Sequence, residues 1–274
     1  MAHDIAFAEI DWAGRPVRIE YRRIDAPAGA TPTLQPTLVF LHEGLGSVSM
    51  WRDFPDRLCA ALGCAGLVYS RPAYGQSTPR PAGERWQPDF MHRQAREVLP
   101  AVLDAVGVSA PYALFGHSDG GSIALLHAAR FPARVAALVV AAPHLFVEDL
   151  SIASITDART AYATTDLRDK LGRHHDDPDS AFRGWNDIWL DPAFRDWTIE
   201  AEVATVRCPV LAVQGVDDQY GTMAQIDRIA ALRPPGATTL LKLPDCGHSP
   251  HRDQRETLIG RVCDFMHRAL SPIT

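Results

Sequence analysis

A serine held between glycines, where an apolar strand gives way to an apolar helix, constrains this chain more than any other feature. Leu114-Phe115-Gly116-His117-Ser118-Asp119-Gly120-Gly121 spells G-x-S-x-G. It follows a run that reads as a buried strand at 111–115 and precedes a helical pattern from 119 to 130. Gly116 and Gly120 permit the close backbone approach of a sharp strand-to-helix turn. Such a turn lifts the Ser118 hydroxyl above the edge of a sheet. It also aims the N–H groups of the helix N-terminus at any negative charge formed there. Ser118 is therefore the candidate nucleophile.

The rest of the chain supplies the sheet that this turn needs. Residues 5–12 and 15–24 read as two strands joined at Gly14, with Ile19 and Tyr21 alternating against Arg18, Glu20 and Arg22. A Pro-rich connector runs from Ala26 to Pro36. Thr37-Leu38-Val39-Phe40-Leu41 is then a continuous apolar run, the mark of a strand buried on both faces. Further strands are expected at 66–70, 111–115, 135–141, 208–214 and 238–243. Helices are expected near 51–62, 89–106, 119–130, 222–232 and 253–269. Strands alternating with helices imply an α/β fold, a mainly parallel sheet with helices on both faces.

The rhythm breaks between Leu145 and Glu202. This stretch holds Trp185, Trp189 and Trp197, many Asp and Arg residues, and no convincing buried strand. It reads as a helical insertion. It starts at a strand's carboxyl end, where open α/β sheets bind ligands, so an insertion there can act as a lid. The expected organisation is a core of residues 1–144 and 203–274 with a cap at 145–202. The charged patch His174-His175-Asp176-Asp177-Pro178-Asp179 reads as a solvated turn.

A serine is a weak nucleophile until a base takes its proton and a carboxylate orients the base. Strand 208–214 ends in Gly215-Val216-Asp217-Asp218, and strand 238–243 in Pro244-Asp245-Cys246-Gly247-His248. Both aspartates fall at a strand end, and His248 lies on a loop that can reach back to the serine. The order Ser118, Asp218, His248 suits nucleophile, acid and base.

Composition excludes other classes. The chain has 274 residues, 46% hydrophobic and 22% charged, enough apolar content for a core and too much for disorder. A net charge of -6 argues against a nucleic-acid partner. Five cysteines without a C-x-x-C pair read as idle thiols rather than a metal or redox site. His42-Glu43 does not begin H-E-x-x-H, because position 46 is glycine. No metal or cofactor is expected, since phosphate-loop and dinucleotide fingerprints are missing. Residues 1–12 lack the pattern of a signal peptide. No run approaches the roughly 20 apolar residues of a membrane span. The expectation is a cytoplasmic protein that meets neither membrane nor nucleic acid. A homo-oligomer is compatible with the sequence.

These segments together resemble the α/β-hydrolase family over nearly the whole chain. The resemblance rests on Leu41-His42 with its glycine-rich loop, Arg71-Pro72-Ala73-Tyr74-Gly75-Gln76-Ser77, the serine turn, Gly215 to Asp218, and Gly247-His248. It implies about eight strands, a cap after the sixth, and a Ser-His-Asp triad with Asp218 as the acid and Asp217 as the alternative. It also implies an oxyanion hole built from the backbone N–H of Asp119 and of the loop after the third strand, where Gly44 is the donor by register and Glu43 the second choice. Relatives commonly read His-Gly there, and this chain has His42-Glu43. The carboxylates of Glu43 and Asp119 would oppose an oxyanion, so both are expected to point away, Glu43 accepting loop N–H bonds or positioning water or a polar substrate group. His42 and His117 are expected to pack at strand ends, and His251 to lie on the surface. Trp185, Trp189 and Tyr220 join Glu43 as candidate substrate-binding residues. The cap aromatics Phe146, Tyr162, Phe182, Phe194 and Trp197 serve either a pocket or the cap's own core. The activity implied is cleavage of a small ester or lactone. Carbon–carbon cleavage of ring-fission products, or a non-catalytic small-molecule receptor, is the alternative.

Overall fold

The computed structural model describes residues 5–27, 29 and 36–271. Part of the expected connector 26–36 lies outside them. The described strands are β1 (Ala6–Trp12), β2 (Arg15–Ile24), β3 (Leu38–Leu41), β4 (Gly66–Tyr69), β5 (Tyr112–His117), β6 (Val135–Ala141), β7 (Val210–Gly215) and β8 (Thr238–Leu243). They form one sheet in the order β1-β2-β4-β3-β5-β6-β7-β8. β2 pairs antiparallel with β1 and β4, and the other ladders are parallel. The register runs straight across the centre: Phe40 opposite Phe115, Phe115 opposite Val139, Val139 opposite Leu211.

The central strands are apolar throughout because both of their faces are covered. Side chains alternate across a strand. Val39, Leu41, Leu114, Leu138, Val140, Val210 and Ala212 enter one core, and Leu38, Phe40, Phe115, Val139, Leu211 and Val213 the other. Each fully buried Val, Leu, Ile or Phe stabilises by roughly 1.5–3 kcal/mol before entropy is counted. The first core is closed by α2 (Phe90–Arg93), α3 (Leu99–Ala105), α4 (Asp119–Arg130) and α9 (Ala224–Leu232). The second is closed by α1 (Phe54–Leu62) and the C-terminal α11 (Arg255–Leu270), which follows the short α10 (Pro250–Asp253). The helix expected at 89–106 is one helical run with a wider-wound middle, the π-segment Gln94–Val98. Pro100 explains it: a proline ring displaces the carbonyl four residues earlier, here that of Arg96, which lies within the widened turn.

Between β6 and β7 the chain forms α5 (Asp149–Thr164), α6 (Leu167–Leu171), α7 (Pro178–Trp189) and α8 (Glu200–Val203). These helices are stitched to loops at the carboxyl edge of the sheet. Ser151 Oγ–H donates to the Tyr220 carbonyl, and the Arg80 N–H donates to Ser180 Oγ at 2.8 Å. His175 Nδ1 accepts the Gly75 N–H at 2.9 Å while its Nε2 meets the Leu45 carbonyl at 3.0 Å. This corrects the solvated-turn reading of 174–179. His175 is buried, and Asp177 caps α7 by accepting the Ser180 N–H. No helix of the described residues is long and apolar enough to cross a membrane.

Candidate active site

Ser118 stands between the last residue of β5 and the first of α4, with φ 52° and ψ -121°. A non-glycine residue at that φ costs on the order of 1–3 kcal/mol and persists only where its surroundings impose it. Here the glycines let two elements close on it. A Cβ at Gly116 would sit 2.3 Å from the Gly120 carbonyl oxygen, and one at Gly120 would sit 2.1 Å from that of Leu41. The Ser118 N–H is held by the Ala141 carbonyl at 2.9 Å, so the neighbouring strand also fixes the turn.

The same device brings the other two loops in. A Cβ at Gly215 would meet the carbonyl oxygens of Cys246 and Gly247 at 2.2 and 2.3 Å. β7 and the loop after β8 therefore pack backbone to backbone. His248 Nε2 lies 2.9 Å from Ser118 Oγ, and its Nδ1 lies 2.9 and 2.8 Å from the two carboxyl oxygens of Asp218. Asp218 is buried and accepts further bonds from Gln214 Nε2 at 2.7 Å and the Tyr220 N–H at 2.7 Å. Burial favours its neutral form, but His248 and the Tyr220 N–H hold its carboxyl below the usual range. Asp217 is exposed, and its N–H donates to the Cys246 carbonyl. The structure thus brings Ser118, His248 and Asp218 together and leaves Asp217 outside.

Beside Ser118 lies a cavity of about 150 Å³. Gly44, Trp185, Trp189, Tyr220, Glu43 and Asp119 line it, all six being residues singled out in the sequence; Leu45, His144 and Ile155 line it as well. Among the described residues no acceptor takes the backbone N–H of Asp119 or of Gly44, which leaves both free to donate. Gly44 must be glycine here, because a Cβ would fall 2.3 Å from the Trp185 ring. Tyr220 packs on the His248 imidazole with ring centroids 4.7 Å apart. Of the other insertion aromatics, Tyr162 stacks on Phe182 at 3.8 Å and Phe194 on Trp197 at 5.1 Å, forming the insertion's own core.

Neither acid does what the sequence suggested in full. The Asp119 side chain is buried and Oδ1 accepts Trp189 Nε1–H at 3.2 Å, so it is held by the insertion. Burial, set against the nearby Arg71 charge, raises its pKa to about 6. Glu43 turns toward His117, its Oε2 being 3.4 Å from His117 Nδ1. The expectation of surface exposure for His251 is overturned: it is buried at 2% exposure between Trp51, Phe54 and His117. α10 folds it inward because Pro250 starts a helical turn at that point. His42 and His117 are buried as expected, and each also bonds a neighbouring loop: His42 Nε2 accepts the Arg71 N–H at 3.0 Å, and His117 Nε2 meets the His248 carbonyl at 2.7 Å. Arg71 is buried and outside the cavity lining, its Nη2 donating to the Glu43 carbonyl at 2.8 Å. Sequence reasoning missed His144 and Gln214. His144 packs on Trp189 at 4.9 Å and His248 at 6.0 Å, and burial lowers its pKa to about 3, so it stays neutral. Its position directly after β6 was the available signal. Gln214 carried none, being one polar residue in an apolar strand.

A family model described as the alpha/beta hydrolase family matches residues 38–261. Solved structures share the architecture. VinJ is 22% identical with TM-score 0.73, over 97% of this chain and 99% of that one. A thermophilic esterase from Thermogutta terrifontis is 14% identical with TM-score 0.72, over 98% and 100%. A meta-cleavage product hydrolase from Pseudomonas fluorescens is 17% identical with TM-score 0.67, over 95% and 97%. Likeness at these identities bears on the fold.

Proposed function

The chain belongs to the alpha/beta hydrolase family, and from that premise we propose that it is a cofactor-independent serine hydrolase cleaving a small carboxylic ester or lactone. The hydrogen-bonded line Ser118–His248–Asp218 carries this reading. His248 Nε2 takes the Ser118 proton as Oγ attacks the carbonyl carbon. Asp218 keeps the remaining proton on Nδ1, so Nε2 presents its lone pair to the serine, and it stabilises the imidazolium that forms. The N–H groups of Asp119 and Gly44 receive the oxyanion. Collapse of the tetrahedral species expels the alcohol, protonated by His248, and leaves an acyl-serine. Water, activated by the same imidazole, then releases the acid.

Residues 145–202 serve in this reading as a cap, with Trp185 and Trp189 as its face toward the substrate. The cavity supports a small, uncharged acyl group. Among the described residues its lining includes two carboxylates, Glu43 and Asp119, and neither lysine nor arginine. This lining favours ester or lactone cleavage over the ring-fission alternative, whose substrates are acids. A fluorophosphonate probe is expected to label Ser118 and to spare Ser118→Ala. A panel of nitrophenyl esters, lactones and a vinylogous 1,5-diketone then assigns the bond. Turnover of the diketone alone would reverse the order of the two, and a folded protein that resists the probe would favour a receptor.

A further inference from the structure

His117 lies outside the cavity lining while Glu43 borders it, and neither takes a step in the chemistry above. His117 Nε2 is 2.7 Å from the carbonyl oxygen of His248, an acceptor only, so Nε2 must carry a hydrogen. In a neutral imidazole Nδ1 then has a bare lone pair. That lone pair would face Glu43 Oε2 at 3.4 Å, along the direction of an N–H bond. A lone pair aimed at a carboxylate is repulsive, so a proton must lie between the two groups. We infer that Glu43 and His117 form a proton-loaded pair that tethers the His248 carbonyl, which makes His117 a positioning residue for the hydrolase reaction proposed above.

The surroundings agree. Burial works against the Glu43 charge, yet the bond and attraction to His117 hold its carboxyl well below the usual range. The proton therefore resides on the imidazole. Arg252 approaches the other Glu43 oxygen at 3.9 Å, and Arg71 holds the Glu43 carbonyl. Facing His117 from other elements are the rings of His251 at 4.7 Å and His248 at 5.2 Å, with Trp51 at 6.4 Å. His42 cannot share the proton, because its Nδ1–H donates to the Glu43 carbonyl at 2.7 Å and its Nε2 accepts from Arg71. The pair thus links three loops: the one carrying Gly44, the serine turn and the one carrying His248. Without the shared proton, carboxylate and lone pair would repel and the tether on the His248 backbone would loosen.

The test is 15N NMR of the imidazoles in the full chain. His117 is expected to carry hydrogen on both ring nitrogens in the wild type and on Nε2 alone in Glu43→Gln, whose amide N–H can donate to a neutral Nδ1. Glu43→Leu, which offers no partner, is expected to lower kcat by up to about 100-fold. Glu43→Gln recovers part of that loss. A wild-type His117 with hydrogen on one ring nitrogen only overturns the inference, as does an identical kcat for the Gln and Leu variants. The wild-type spectrum decides even where the variants fail to fold. It needs no turnover, so it separates this inference from the assignment of Ser118, which the fluorophosphonate probe addresses.

Discussion

Asp119 meets two opposed requirements at one residue. Its backbone N–H faces the expected oxyanion, while its carboxyl is buried against Trp189. Burial raises its pKa from 3.8 to about 6. Between those values the unfolded chain releases a proton that the folded chain still holds, so stability falls as pH rises from about 4 through about 6. A displacement of that size corresponds to on the order of 3 kcal/mol, fully expressed above the folded value. Asp119→Asn keeps an acceptor for Trp189. It is expected to raise the thermal midpoint at neutral pH and to give no gain near pH 4, measured by calorimetry at both. Asp218→Asn differs because in the proposed reaction its carboxylate orients the base. With the wrong tautomer of His248, kcat is expected to fall about 10⁴-fold while circular dichroism stays native. The role of Ser118 was legible because its glycines and flanking apolar runs are local. The choice between Asp217 and Asp218 was not, because both lie at the same strand end and only the loop's course decides which faces inward.

At the scale of elements, glycine positions separate contacts that the fold requires from those it does not. Gly120→Ala would drive a methyl into the Leu41 carbonyl at 2.1 Å, backbone against backbone. It is expected to destabilise by about 1–3 kcal/mol or more and to open the serine turn, read by urea denaturation and loss of probe labelling. Gly260 on α11 is exposed with nothing within 4 Å of a Cβ, so Gly260→Ala is expected to stabilise by roughly 0.5–1 kcal/mol in the same assay. Strand and helix positions were readable from periodicity because the central strands are apolar on both faces. The short α10 and the inward course of 174–179 were not. Polar residues there are buried by pairing with distant loops, as His175 is with Gly75 and Leu45.

Across the molecule, burial leaves several histidines neutral. His127 and His175 are lowered to about 4, His144 to about 3, and His42 and His251 well below 6.5. In the unfolded chain each takes up a proton near pH 6.5. The unfolded state therefore binds more protons than the folded one below that pH, and stability is expected to fall as pH drops from about 6.5 toward 4. Asp119 opposes this over part of the window, but it is one group against five. Urea midpoints at a series of pH values check it, and His127→Gln, which removes one of the five, should flatten the slope. A midpoint constant from pH 7 to 5 would show that these rings titrate in the fold. The sequence by itself determined the layered sheet, the serine turn and the place of an insertion, because local backbone geometry and apolar periodicity write these directly into neighbouring residues. Only the tertiary structure decided the acid, the partners of Glu43 and Asp119, and which aromatics face the cavity. Those depend on loops far apart in sequence that meet at one edge of the sheet, where burial and unmade hydrogen bonds carry costs that no local pattern records.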